Sequence, residues 1–533
     1  MARMLLVASA LVVFTAVIIS IARPSLYAET RKMSRHGLHA ALAVVGIGVV
    51  STTAQSAALP VPPTTIGVNL SAPTYFLGTR VLANLAAAAN WGASDHRVLG
   101  PEDIDRDGSV KRVPPGVEIY RLMTLPNVGT RTATIRCSWK GKGDFRPRAR
   151  RVQSVSPGKG TFTFTLNNAD PLQGGNVMLS VTAVDPSDPI RDLDCRETTM
   201  PASARFDPVY LESLRGFKVV RFMDWQNSNG NAPVTWATRH LPNGIDNTGA
   251  DGVAIEDMVA LAKQTGADPW FNMPWNADDD YYERFARMVH DGLPADRTIY
   301  VELGNEVWNH AFSVAGQAQK EGLAANLSSD PNEAGLRRYA QRLAHVLDVW
   351  KKVYADRPGR LVRVAACQNG DWCAKAVLGF GDTAHHVDAL ATAPYFGGPL
   401  SNGAFASPDD LFAALDRDID RSFANTLQAK AVAAQYGKRY IAYEGGQHLI
   451  FKDVAFEQRI ERDPRMYDAY KKYLDSWRSK IGDTIALYNS SGPMRAFGAW
   501  GLVEYAGQPL SETPKMRAVL DEIARNAGKE AAH

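Results

Sequence analysis

Beyond about residue 207, short apolar runs alternate with longer segments whose apolar residues recur at helical spacing. The clearest helical segment opens with Asp330-Pro331-Asn332-Glu333, a capping sequence with proline in the first turn, and continues to Val353. The apolar runs predict seven strands, at 217–223, 269–273, 298–303, 361–366, 387–391, 439–443 and 495–500. Short strands that alternate with helices indicate a parallel sheet, either open or closed into a barrel.

An eighth candidate strand lies upstream, from Thr65 to Leu70, so the pattern favours an α/β fold of the (β/α)8 TIM barrel type. Residues 105–204 differ, because polar and apolar residues alternate there between turn signals such as Asp107-Gly108. We predict a β-sandwich-like domain inserted after the first strand, although residues 58–100 could instead belong to that β domain and leave the barrel one strand short. The predicted domains are an N-terminal hydrophobic leader (1–57), the first barrel strand and its loop (58–104), the inserted β-rich domain (105–204) and the rest of the barrel (205–525).

The leader contains two apolar runs, Leu5 to Ile21 and Leu38 to Val50. The second run follows Met33 and a basic residue and ends in small residues, which is the pattern of a secretory signal that starts at Met33. This favours a secreted or periplasmic protein. In the alternative, Leu5 to Ile21 is a short membrane anchor, so N-terminal membrane association stays open.

Composition narrows the classes of partner. The chain has 45% hydrophobic residues and a net charge of +3, which is ordinary for a globular protein and gives no electrostatic case for nucleic acid. Four cysteines in an exported chain suggest two disulfides, Cys137 with Cys195 and Cys367 with Cys373, with four free thiols as the alternative. The acidic run at 278–280 precedes a helix, where acids favour the helix dipole. We predict no metal, no cofactor and a monomer.

Two carboxylates stand at predicted strand ends. Glu306 follows the fourth strand in Gly304-Asn305-Glu306-Val307-Trp308-Asn309, and Glu444 follows the seventh in Tyr443-Glu444-Gly445-Gly446. The carboxyl ends of all strands in a (β/α)8 barrel share one rim, where the active site is built. Two carboxylates that converge on one cleft are the minimum requirement for cleaving a glycosidic bond.

The Asn-Glu at the end of strand four and the Glu at the end of strand seven resemble clan A of the glycoside hydrolases, the "4/7" superfamily of retaining enzymes. The resemblance covers about residues 205–510 and the first strand. It implies that Glu306 is the acid/base and Glu444 the nucleophile. It further implies roles for other residues: an arginine that keeps the nucleophile ionised (Arg221), a 2-hydroxyl ligand (Asn305), a hydroxyl donor to the nucleophile (Tyr395), a sugar-stacking platform (Trp500) and the clan's additional histidine (His448).

Aromatic and amide side chains near the strand ends suit sugars, because CH faces stack on indoles and amides bind hydroxyls. Trp225, Asn272, Trp275 and Trp308 are therefore further candidates for substrate binding or its support. The sequence predicts an exported retaining hydrolase of a β-linked or arabinofuranosyl polysaccharide or oligosaccharide, acting by double displacement. The alternatives are a non-catalytic carbohydrate-binding protein and an accessory barrel in polysaccharide biosynthesis or export.

Overall fold

The computed structural model describes residues 61–74, 79–128, 130, 132–149, 151–167, 177–242 and 252–530. The predicted leader, with its runs Leu5 to Ile21 and Leu38 to Val50 and its start at Met33, lies outside these residues. In the described ranges, no helix combines the length and the apolar character needed to cross a membrane.

Eight parallel strands close into a barrel, which confirms the predicted fold class. The barrel strands in order are β1 (Thr64–Asn69), β10 (Val219–Arg221), β11 (Asp268–Met273), β12 (Ile299–Leu303), β13 (Leu361–Ala366), β14 (Ala389–Thr392), β16 (Arg439–Ala442) and β18 (Asp483–Leu487). The last strand pairs with the first, and Ile66 lies opposite Ile485. Short apolar strands of this kind are buried on both faces, inside against one another and outside against the helices.

The helices lie between these strands and on the outside of the barrel. They are α1 (Pro208–Ser213), α2 (Ile255–Thr265), α3 (Asp279–Gly292), α4 (Ser313–Ala324), α5 (Pro331–Val353), α6 (Trp372–Leu378), α7 (Thr383–His386), α8 (Pro408–Gln435), α9 (Val454–Glu461), α10 (Arg465–Lys480) and α11 (Pro514–Glu530). Helix α5 begins where its capping sequence predicts, and the Asp330 side chain accepts a hydrogen bond from the Glu333 amide. The Asp278 side chain caps α3 by accepting from the Tyr281 amide.

The predicted last strand at 495–500 is wrong. The eighth strand is β18, which follows α10 after a two-residue turn at Ile481 and Gly482. The segment from Arg495 to Gly498 is a tight turn in the loop after β18, with Arg495 and Gly498 facing each other across it. Gly498 adopts a φ of 142°, a conformation that interrupts an extended run. Trp500 therefore lies in that loop rather than on a strand.

The inserted domain is a sandwich of two four-stranded antiparallel sheets. One sheet contains β2 (Trp91–Ala93), β3 (Ile119–Met123), β8 (Val177–Val184) and β5 (Gly143–Arg148); the other contains β6 (Val152–Gly158), β7 (Thr161–Asn167), β4 (Thr132–Lys140) and β9 (Arg191–Glu197). Alternate side chains such as Ile135, Phe164 and Leu166 form its core. Because β2 pairs inside the sandwich, that domain includes residues upstream of the predicted boundary at 105.

Both predicted disulfides are present. Cys137 and Cys195 face each other on β4 and β9, and Cys367 and Cys373 join the end of β13 to α6. A two-stranded sheet of β15 (Tyr395–Phe396) and β17 (Gly446–Gln447) extends the barrel rim after the sixth and seventh strands. The rim is therefore tied together by backbone on the side that carries Glu444.

Candidate active site

Glu306 lies in the turn that follows β12. The backbone there is left-handed at Gly304 (φ 66°) and at Glu306 itself (φ 44°), a conformation that non-glycine residues seldom adopt and that clusters at functional sites. The Tyr443 hydroxyl donates to Glu306 Oε1 at 3.0 Å, and Asn309 Nδ2 donates to Oε2 at 2.7 Å. The carboxyl group is thus fixed from two sides and only 9% of the residue is exposed.

Glu444 follows β16, three barrel strands further on. Arg221 Nη1 donates to its Oε1 at 2.8 Å and the Tyr395 hydroxyl donates to its Oε2 at 2.9 Å. The sequence expectation that Arg221 and Tyr395 contact this carboxylate matches the geometry. Each carboxylate oxygen therefore has a donor, and one of the two donors carries a full positive charge.

A buried network lies beneath the rim and fixes Arg221. The guanidinium is fully buried and also contacts Glu302, Asn69 Oδ1 (2.8 Å) and Asn305 Oδ1 (2.8 Å). Sequence reasoning gave no role to Glu302, although its position in β12 within an apolar run is unusual for a charged residue. Burial, opposed by Arg221, raises the pKa of Glu302 to about 7. Arg221 is therefore shared between two carboxyl groups.

The pKa values of the two rim carboxyls are affected by different neighbours. Burial, and then the negative charge of Glu444, raises the pKa of Glu306 to about 8. Burial also raises the pKa of Glu444, while Arg221 and Tyr395 oppose that rise. Arg221 lowers the pKa of Glu444, as expected, but the effect of burial is larger. Glu444 therefore has a cation that favours its ionised form, whereas the negative charge of Glu444 favours the protonated form of Glu306.

A cleft of about 420 Å³ opens above these groups. Seven of the residues singled out in the sequence line it: Asn305, Glu306, Trp308, Tyr395, Glu444, His448 and Trp500. Its other walls include the amides of Asn227, Asn229 and Asn369. Indoles, amides and two carboxyls around one space of this size give hydrogen-bonding and stacking surfaces suited to a sugar ring.

His448 and Trp500 form one wall of the cleft together. Trp500 Nε1 donates to His448 Nδ1 at 3.2 Å, and the His448 ring centre lies 5.1 Å from that of Tyr395. Burial lowers the pKa of His448 to about 4, so the ring is neutral and can accept this bond. The histidine therefore positions an indole.

Three candidates lie outside the cleft. Trp225 is fully buried in the core and donates to the Ser71 carbonyl at 2.9 Å, and Trp275 is buried beneath the Arg342 guanidinium and donates to Glu321 at 3.2 Å. As sugar subsites both were wrong, because an indole after a strand can turn outward into the helix layer as readily as into the cleft. Asn272 is buried and donates to Glu302 and to the Gly304 carbonyl, so it supports the network from below.

Asp224 is a third acid in the cleft that sequence reasoning passed over. It follows β10 beside Trp225, lines the cleft, and its Oδ2 accepts from the Tyr488 hydroxyl at 3.4 Å. Burial, and then the charge of Glu444, raises the pKa of Asp224 to about 7. Its place at the end of the second strand was the signal that could have identified it.

No protein-family model matches the chain, and no curated protein is detectably similar to it. Among solved structures, the chain is similar to a family 51 α-L-arabinofuranosidase from Bifidobacterium longum (14% identity, TM-score 0.39, 61% of this chain and 68% of that one). It is also similar to a 4-O-α-L-rhamnosyl-β-D-glucuronidase from Fusarium oxysporum 12S (11%, 0.36, 59% and 63%) and to a family 1 β-glucosidase from Thermotoga maritima (11%, 0.32, 59% and 85%).

These likenesses are distant and carry no argument about this chain. The closed barrel and the arrangement of Arg221, Glu306, Tyr395 and Glu444 rest on this chain's own geometry.

Proposed function

We propose that the protein is a retaining glycoside hydrolase in which Glu306 is the general acid/base and Glu444 the nucleophile. The observation that carries this proposal is geometric: two carboxyls line one sugar-sized cleft, and of the two only Glu444 contacts the Arg221 guanidinium. A retaining enzyme needs one protonated and one ionised carboxyl at the same pH. Arg221 and Tyr395 donate to Glu444 and favour its ionised form.

In the first step, a Glu444 oxygen attacks the anomeric carbon while Glu306 transfers its proton to the departing glycosidic oxygen. The bond to the leaving group breaks and a glycosyl ester of Glu444 forms. Arg221 and Tyr395 orient the attacking carboxylate, and Asn305 faces the cleft next to the acid, where it can bind a sugar hydroxyl. Trp500 offers its face to the ring.

In the second step, Glu306 has lost its proton and Glu444 is an uncharged ester. The negative charge of Glu444, the second cause of the raised pKa of Glu306 after burial, is then absent, which favours the ionised form of Glu306. This carboxylate accepts a proton from the water that attacks the anomeric carbon. Glu444 is released as a carboxylate and the anomeric configuration is retained after two inversions.

The proposed substrate is a β-linked or arabinofuranosyl polysaccharide or oligosaccharide. The amides and indoles of the cleft support a carbohydrate ligand. The proposed location is outside the cytoplasm, and the two disulfides support it, because such bonds persist in oxidising compartments.

The decisive experiment follows the first-formed product by NMR during hydrolysis of a panel of glycans and aryl glycosides. We expect retention of the anomeric configuration, and inversion would contradict the double displacement. Glu444→Gln should reduce turnover by more than about 10⁴-fold. Glu212→Gln, at an exposed glutamate of α1, is the matched control and should leave turnover unchanged.

A glycan-binding protein without hydrolytic activity is the competing outcome. It would bind members of the panel while releasing no product, and Glu444→Gln would then have nothing to abolish. Full turnover by Glu444→Gln would refute the assignment of the nucleophile even if hydrolysis occurs.

A further inference from the structure

The charge distribution around the cleft is uneven. Four carboxyls line it: Asp224, Glu306 and Glu444 follow the second, fourth and seventh barrel strands, and Asp418 is on helix α8. Arg221 is buried beneath them. On the side that follows the sixth strand, helix α8 contributes Arg421, which among the described residues that line the cleft is the only arginine or lysine. The second and sixth strands lie opposite each other in an eight-stranded barrel.

Arg421 is held in place from one side. Its Nη2 contacts Asp418, one turn earlier on α8, and Asp418 Oδ2 accepts from the Gly397 amide at 2.6 Å. Asp418 is 6% exposed and is therefore a fixed anchor, whereas 57% of the Arg421 side chain is exposed. A guanidinium has five donors, so most of them remain directed away from Asp418.

Ser422, next to Arg421 in the sequence, brings a second polar group to this side of the cleft. Ser422 lines the cleft, is 6% exposed, and its hydroxyl makes no hydrogen bond within the described part of the protein. Asn425 lies one turn further along the same helix and also lines the cleft. A guanidinium, a free hydroxyl and an amide on one helical face form a donor-rich surface, which suits an oxyanion.

We propose that Arg421, with Ser422 and Asn425, forms a subsite for a sugar that carries an anionic group. The inference rests on the proposed function in that it adds an acidic sugar residue to the substrate. A planar guanidinium binds a carboxylate or a sulfate ester through paired donors. The subsite places the anionic sugar on the α8 side of the cleft, which leaves the side of the second strand for a neutral sugar.

The test uses binding to the Glu444→Gln protein, so that turnover does not consume the ligand. Isothermal titration compares uronic-acid-containing oligosaccharides with the same compounds after reduction of each carboxylate to an alcohol. A second arm compares sulfated oligosaccharides with their desulfated forms. We expect the charged member of at least one pair to bind roughly tenfold more tightly, with a preference that weakens as salt is added. The arm that shows the preference identifies the anionic group.

Arg421→Gln, made in the same background, should erase that preference while leaving the affinity for the neutral member unchanged. Arg417→Gln is the matched control, because Arg417 is an exposed residue of the same helix outside the cleft, and it should keep the preference. Equal affinity for both members of every pair, no binding to any of them, or a preference that survives Arg421→Gln would each overturn the subsite.

Failure of the subsite and failure of the proposed function give different results. If neutral glycans are hydrolysed with retention and Arg421→Gln changes nothing, the hydrolase stands and the subsite falls. If charged glycans bind through Arg421 and the unsubstituted protein never cleaves them, the subsite stands and the hydrolase falls.

Discussion

Glu306 at the barrel mouth and Glu457 in α9 have the same pKa, about 8, and the causes match: burial first, then the charge of a neighbouring glutamate. Around Glu457, however, Glu461 pairs with Lys515 at 2.8 Å, and Lys515 also donates to the Ala499 carbonyl at 2.6 Å. Glu306 lines the cleft, whereas Glu457 does not. A shifted pKa therefore identifies a buried acid, and access to a cleft is what makes it a candidate for catalysis.

The largest expected effect separates the two glutamates directly. Glu306→Gln should lower the turnover of substrates with poor leaving groups by about 10²–10⁴-fold, because proton transfer to the leaving oxygen is lost. Activated aryl glycosides should be affected much less in the glycosylation step, since their leaving groups need no proton. Glu457→Gln should keep near-normal turnover on both substrates, measured by steady-state kinetics. A comparable loss in both variants would contradict the distinction between the two sites.

The next largest effect concerns the stability of the cluster formed by Glu457, Glu461 and Lys515. Lys515→Met should cost about 3–5 kcal/mol in the free energy of unfolding, because it leaves Glu461 buried without its cation. Urea unfolding followed by fluorescence measures this loss. The double variant Lys515→Met with Glu461→Gln should recover most of it, since no uncompensated charge remains. If the double variant is no more stable than the single one, the loss comes from packing rather than from charge.

The smallest expected effect is on the pH dependence of the free energy of unfolding. The raised pKa of Glu457 makes the folded state bind a proton more tightly than the unfolded state, so its stabilising contribution is complete below about pH 4.5 and is lost as the pH rises through about 8. Glu457→Gln should flatten this decline, by at most about 1.4 kcal/mol per pH unit. The activity of this variant should still fall as the pH rises through about 8, because the proposed mechanism takes the catalytic proton from Glu306. If the pH at which activity falls is shifted in Glu457→Gln, then Glu457 affects the protonation of Glu306, which contradicts the separation of the two sites.

The parts of this protein that depend on local pattern were predictable. The barrel, the inserted sandwich and the placement of Glu306 and Glu444 follow from strand ends that meet at one rim. The position of the eighth strand was not predictable from the sequence, because β18 is a short run directly after α10. The turn around Gly498, in contrast, has a strand-like composition. Trp225 and Trp275 show the same limit, since residue type does not determine which side of a strand end a ring takes. Arg421 carries no sequence signal at all, because its importance depends on how a helix far along the chain lies against the cleft.

The small sheet of β15 and β17 has a practical consequence for redesign. Tyr395 pairs with Gly446, two residues after Glu444, so the hydroxyl donor and the carboxylate it serves are carried by adjoining backbone. Insertions between 393 and 397 would shift the phenol relative to its acceptor. Ser401 and Asn402 bond to the segment that carries His448, so segments grafted at 403–406, between these contacts and the Ser407 cap of α8, would leave that register untouched. That stretch is therefore where specificity can be varied while the reacting groups stay in place.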